Sequence, residues 1–266
     1  MGMNYFDEQA MKDHWEFLKN PEAKISTGWS ALDVYTNGGF LKDGRMLGLI
    51  MAQAGLGKSV FLSNLAVNFL KQNLSVVVIS LEMSENVYAQ RFDSHISKKN
   101  INKLAEYEET AVQRIKEFYS QYPNSNLFIK EYPPRSIRSR DIETYLENLR
   151  NAGHKIDVIV VDYLNLVLPN HGSDSMYKDG LSVSEELRSL SYKFNAPVIS
   201  AVQANSEGMN NESIDMQNVS ESRGIVHTAD FLVALMQKPD DRENGFIKMR
   251  ILKNRLGGQV GKICNF

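Results

Sequence analysis

The chain has 266 residues, 42% of them hydrophobic and 23% charged, with a formal net charge of −2 at pH 7; that suffices for one large α/β domain or two small ones around a real core, and it excludes a uniformly basic nucleic-acid binder, so any nucleic-acid contact must rest on a local patch. The single cysteine, Cys264, excludes an internal disulfide framework and a cysteine-rich zinc site and fits a reducing cytoplasm. No apolar run approaches the roughly 20 residues of a membrane span, and no secretory signal opens the chain, so no membrane partner is expected.

Residues 5–19, YFDEQAMKDHWEFLK, read as an amphipathic helix with Met11, Trp15 and Leu18 on one face, ended by Asn20-Pro21. It packs either on its own domain or on a neighbouring subunit. Residues 28–44 are turn-rich, with Asn37-Gly38-Gly39 and Lys42-Asp43-Gly44 as breakers. From there strands and helices alternate. Strands are predicted over 46–51, 76–81, 127–130, 157–161, 197–202, 231–236 and 246–252, and helices up to about residue 72, after 81, and over 107–122, 141–151 and 181–194. Continuous apolar strands between helices predict an α/β fold, a mainly parallel sheet covered on both faces. Two long polar loops, 169–180 and 203–224, leave predicted strand C-termini, where such sheets bind ligands. The start, Met1-Gly2-Met3, reads as a cloning remnant. The end, GKICNF, stops inside a strand, so a fragment truncated at its C-terminal end is expected.

The sequence Ala52-Gln53-Ala54-Gly55-Leu56-Gly57-Lys58-Ser59, followed by Val60, is a phosphate-loop pattern with Ala in place of the first glycine. Gly55 and Gly57 free the backbone to turn its N–H groups inward, and the helix beginning near Lys58 adds its positive end. Lys58 can reach the β- and γ-phosphates of a nucleotide, and the Ser59 hydroxyl can ligate Mg²⁺. Such a loop predicts an acid at the tip of a later strand, and Asp162 in DVIVVDY supplies it as a second magnesium group. Glu82 in SLEMS ends the strand after the phosphate-loop helix. By position alone it is as readily a helix N-terminal carboxylate as a base for the attacking water. Gln203 follows PVISAV and by itself reads as a polar loop residue.

Taken together these pieces resemble the RecA-type hexameric replicative helicases, the DnaB-like family, with its T-even phage branch fitting best. Besides the phosphate loop, SLEMSENVYAQRFDSH, DVIVVDYLNLV, AVQANSEG, NVSESRGIVHTADF and ILKNRLGGQVGK stand in the family's order, over about residues 5–262. The resemblance implies a RecA-like ATPase motor at 26–266 preceded by a subunit-docking linker helix at 1–25. ATP and Mg²⁺ are its cofactors. Glu82 becomes the catalytic base, Asp162 the metal acid, and Gln203 the γ-phosphate sensor. Lys253 and Arg255, two positions apart on a strand and so facing one way, become groups that reach the neighbouring subunit's ATP. Glu221, Ser222, Arg223 and Gly224 fall in the family's DNA loop, where Arg223 departs from its usual Gly or Ala. A homohexameric ring on single-stranded DNA is implied, with a primase and a helicase loader as partners in the cytoplasm of a bacterial or phage-infected cell. Two other readings stay open: a RecA-type recombinase, and a non-motor ATP-dependent switch or clamp loader.

Overall fold

The computed structural model describes residues 3–19, 24–203 and 223–265. Helix α1 (Glu8–Lys19) comes first. A small antiparallel pair, β1 (Lys24–Ile25) and β2 (Phe40–Leu41), encloses α2 (Ser30–Tyr35). Then β3 (Leu47–Ala52) leads into α3 (Lys58–Leu70), and β4 (Ser75–Ser80) into α4 (Glu85–Ser97). A 3₁₀ segment, Ile101–Tyr107, precedes α5 (Glu108–Gln121). Strand β5 (Asn126–Glu131) is followed by α6 (Ser139–Asn151), β6 (Val158–Asp162) by α7 (Met176–Phe194), and β7 (Val198–Gln203) ends that stretch. The rest is α8 (Arg223–Thr228), β8 (Phe231–Met236), α9 (Pro239–Glu243), β9 (Lys248–Asn254) and β10 (Ile263–Asn265).

Eight strands form one sheet in the order β10-β9-β8-β3-β7-β6-β4-β5. Strands β8 through β5 are parallel, and β9 and β10 return antiparallel. This is the mainly parallel sheet the apolar runs predict. The side-chain period of two splits each strand between two cores. Leu47, Leu49, Met51, Ile159 and Val161 face α6 and α7 through Ile142, Leu146, Leu187 and Leu190. Ile50, Val76, Val78, Val158 and Val160 face α3 and α4 through Leu62, Leu65, Phe69, Tyr88 and Phe92. Each of the fully buried aliphatic chains contributes about 1.5–3 kcal/mol by leaving water.

The register places the site. Ala52 lies opposite Gln203, and Ser80 opposite Asp162, so the C-terminal tips of β3, β7, β6 and β4 share one edge. At the outer flank β5 is tied off by Glu85. The Glu131 N–H donates to Glu85 Oε1 and the Glu85 N–H to Glu131 Oε2, both at 3.1 Å, and Lys130 pairs with Glu85 at 3.7 Å.

One expectation changes. The polar stretch 169–180 is not all loop, because α7 begins at Met176 and carries Gly180 inside it. A Cβ on Gly180 would lie 3.1 Å from Ile225 Cδ1, so the glycine admits α8 against α7 instead of breaking the helix. Helix α1 buries none of its residues, and Trp15 and Leu18 are each 55% exposed. Packing on its own domain is therefore not what the described residues show.

Candidate active site

The phosphate loop closes the turn from β3 to α3. Gly55 (φ +76°) and Gly57 (φ +86°) are left-handed, a conformation that strains any side chain, and nothing stands within 4 Å of where a Gly55 Cβ would be. Ala52 is buried at the end of β3 with no left-handed backbone, so the missing first glycine carries no strain. Gly57 caps α3, whose first free N–H groups point into the loop. Lys58 is buried and turns back to the loop, its Nζ donating to the Gln53 carbonyl at 3.2 Å and the Ala52 carbonyl at 3.5 Å. Burial holds its pKa below the usual lysine value, against the pull of Glu82 and Asp162.

Those two carboxylates come from the neighbouring tips. Asp162 ends β6 with no exposed surface. Burial raises its pKa, the Ser59 hydroxyl and Tyr88 phenol beside it oppose the rise, and Glu82 adds to it. Neither Asp162 oxygen is held in a well-formed hydrogen bond among the described residues. A buried carboxylate without full partners, next to a serine hydroxyl, suits a hard divalent cation that takes its other oxygens from phosphate and water. No cluster of three or more His, Cys, Asp or Glu among the described residues competes as a metal site. Glu82 is exposed on the turn after β4, which the Leu81 N–H fastens to the Asp162 carbonyl at 2.8 Å.

A cleft of about 310 Å³ holds Gly55, Gly57, Lys58, Ser59, Glu82 and Gln203 together. Three further lining residues escaped sequence reasoning: Tyr163, Arg91 and Met83. The Tyr163 ring lies under the Lys58 ammonium, 5.5 Å from its centroid, and its hydroxyl donates to Gln203 Oε1 at 3.4 Å. The Gln203 N–H donates to Asn165 Oδ1 at 3.4 Å. Arg91 donates to the Met83 sulfur at 3.1 Å. Tyr163 adjoins Asp162 in sequence and was within reach of inspection; Arg91 and Met83 arrive only through the fold. A larger cleft of about 570 Å³ shares Gly55, Gly57 and Val60 and continues along α3, past the stacked rings of Trp29 and Phe61.

Lys253 and Arg255 stand elsewhere. Strand β9 runs against β8, so Lys253 lies opposite Leu232 and Asn254 opposite Phe231, beside the first residues of β3. The Arg255 N–H donates to the Asp230 carbonyl and the Asp230 N–H to the Leu47 carbonyl, at 2.8 and 2.9 Å. From Leu47 to Ala52 the strand spans roughly 17 Å. Both cations therefore sit at the opposite edge of the sheet from their own phosphate loop. Both lie beside the C-terminal end of α8, although Arg255 stands past the end of β9 where the alternation of a strand no longer applies. Lys253 Nζ donates to the Val226 and His227 carbonyls at 2.9 and 2.7 Å, capping the last turn of α8, while Arg255 pairs with Asp230. Burial, helped by Arg255, brings the Lys253 pKa down to about 8. Arg188, His227, Thr228 and Arg255 line a groove of about 430 Å³ here. Of the residues expected at DNA, Glu221 and Ser222 lie outside the described residues, Arg223 begins α8, and Gly224 is buried against Leu181 and Tyr177.

Comparison with known proteins places this geometry. Residues 24–264 match the family of the DnaB-like helicase C terminal domain. The DnaB-like replicative helicase of Enterobacteria phage T4 is 25% identical over 270 residues, covering 97% of this chain and 55% of that protein. The replicative DNA helicase DnaB of Helicobacter pylori strain J99 is 26% identical over 215 residues, covering 79% and 43%. The chain thus spans about half the length of the curated relatives it matches. Among solved structures, one described as an ATPase domain aligns with a TM-score of 0.79 at 20% identity, over 97% of this chain and 93% of that one. A DnaB-like replicative helicase, described with its interactions with primase, aligns with a TM-score of 0.77 at 20% identity, over 100% and 64%. These likenesses confirm the expected RecA-like core. No helix among the described residues is long and apolar enough to cross a membrane.

Proposed function

The chain belongs to the DnaB-like helicase C-terminal domain family, and from that premise we propose that it is the ATP-driven motor of a replicative DNA helicase, moving on single-stranded DNA and separating the duplex ahead. One observation supports this reading: the sheet register puts the phosphate loop at one edge and Lys253 and Arg255 at the other. Completing the cradle with those cations needs a second copy, and a closed ring, a hexamer in this family, satisfies every copy at once.

The triphosphate of ATP lies on the N–H groups of residues 54–59. Lys58 exchanges its carbonyl partners for the β- and γ-phosphates, and the nucleoside extends into the larger cleft along α3. Ser59 and Asp162 would hold Mg²⁺, which would supply charge neutralisation for the triphosphate. Glu82, exposed at the cleft rim, orients the attacking water and accepts its proton. The Tyr163 hydroxyl engages the Gln203 carbonyl oxygen, leaving the amide –NH₂ to donate to the γ-phosphate. Arg255 of the next copy, with Lys253, neutralises charge that grows in the transition state. Gln203 is the last described residue before segment 204–222, and Arg223 and Gly224 stand at that segment's far end. That segment is our candidate for the DNA contact, with residues 169–175 as its companion. Its contacts are to phosphates, independent of sequence and sensitive to salt.

The exposed apolar side of α1 docks on a neighbouring copy. A primase and a loading protein complete the assembly in the cytoplasm of a bacterial or phage-infected cell. The primase interaction described for a structural relative supports the first of these. Family membership favours the helicase over a recombinase or a passive switch. The deciding experiment follows ATP hydrolysis per chain across a protein dilution series, with and without oligo(dT), beside strand separation of a forked duplex. Hydrolysis should rise with both concentration and DNA, and the fork should open. Full-speed hydrolysis by isolated copies, indifferent to DNA, would overturn the reading.

A further inference from the structure

Asp230 sits in the turn between α8 and β8, 5% exposed. Its main chain is fixed from two sides by the Leu47 carbonyl and the Arg255 N–H. Its side chain is a hub. Oδ2 accepts from the Leu47 N–H at 3.0 Å and from Arg188 Nε at 2.8 Å. Oδ1 accepts from Arg188 Nη2 at 3.1 Å and from Arg255 Nη1 at 3.3 Å. One carboxylate therefore serves two guanidinium groups, and serves them unequally. Arg188 engages with two prongs of its fork, the strong bidentate geometry. Arg255 makes one longer contact and stays 54% exposed at the groove.

We propose that Asp230, neutralised by Arg188, is a positioning residue for Arg255, presetting its guanidinium for the nucleotide of a neighbouring copy. The proposal rests on the reading that Arg255 acts across a subunit boundary. A free arginine side chain samples many rotamers, and narrowing them before the nucleotide arrives brings the fork to the reacting phosphate already aimed. A carboxylate with no other cation would keep Arg255. Arg188 takes up most of the Asp230 charge, so Arg255 is directed but releasable.

The test uses the full chain with saturating oligo(dT). Asp230→Asn keeps the shape and the acceptor for the Leu47 N–H and removes the charge. Its kcat should fall roughly tenfold to hundredfold, with KM for ATP nearly unchanged. Asp230→Asn/Arg255→Ala should be no slower than Arg255→Ala alone, because both act through one group. Mixing Asp230→Asn with Lys58→Ala should restore hydrolysis, since one copy keeps its cradle and the other its aimed arginine. A folded Asp230→Asn with unchanged kcat overturns the proposal, as does a double-variant loss that multiplies. If Asp230→Asn lacks a thermal unfolding transition, Arg188→Gln replaces it, leaving the Leu47 hydrogen bond intact. Its kcat should also fall, without adding to Arg255→Ala, and an unchanged or multiplying effect overturns the proposal. Full activity in Arg255→Ala is a different result, for it removes the cross-subunit reading itself.

Discussion

At one edge of the parallel sheet, Lys58, Glu82 and Gln203 line one cleft, and the buried Asp162 ends the neighbouring strand β6. At the other edge, Arg188, Arg255 and Lys253 gather around Asp230 and the last carbonyls of α8. The first edge has partly satisfied acceptors and the first-turn N–H groups of α3. The second has cations held by acceptors of their own chain, one of them with its pKa brought down to about 8. Each edge carries what the other lacks, and roughly 17 Å of strand separates them. On the proposed function, the contrast teaches that hydrolysis belongs to the seam between copies.

Removing Lys58 attacks the first edge and should have the largest effect. Lys58→Ala should leave no saturable ATP binding in calorimetry, since truncating a charged binding partner costs about 2–5 kcal/mol; retained tight binding means the cradle is elsewhere. Arg255→Ala attacks the second edge. It should lower kcat by about 10³-fold while leaving ATP affinity near normal, and should regain activity when mixed with Glu82→Gln copies. Losses that stay purely additive in the mixture would place Arg255 outside the neighbour's site. Glu82→Gln should bind ATP normally and lower single-turnover hydrolysis by about 10²-fold or more, and near-normal turnover would end its role as base. The smallest effect sharpens the contrast through pH. Lysine is a cation only below its pKa, so kcat/KM should fall as pH rises through about 8, where Lys253 loses its proton. Lys253→Arg keeps its charge and should remove that alkaline limb. An unchanged limb assigns it to another group.

The cradle was legible because its chemistry is local. Eight consecutive residues contain the glycines, the cation and the hydroxyl, and a run of apolar residues before Asp162 announces a strand tip. The parallel sheet was legible for the same reason, through unbroken apolar strands. Small elements such as α2 and α9 hid within turn-rich sequence, since their few residues give no period to detect. Gly180 misled because its lack of a side chain serves the contact with Ile225, a partner 45 positions on, and not a turn. Arg91 and Met83 reach the cleft from α4 and the turn before it, and no spacing rule links them to the phosphate loop. Lys253 on β9 and Arg255 just past its end show the limit most clearly. Only the register of β9 on β8 told that they lie far from their own cradle. The resemblance supplied that idea, and the register gives it a physical cause.

The flank at β5 bears on how copies come together. Its outward Glu131 amide is already occupied by the Glu85 carboxylate, and Lys130 adds charge beside it. A second chain arriving there finds the C-terminal end of the ladder already taken and charged, which disfavours strand addition at that corner. The proposed ring joins its copies through side chains instead. Joints of that kind can loosen and re-form with each spent nucleotide, where a shared strand would have welded the partners into a fibre.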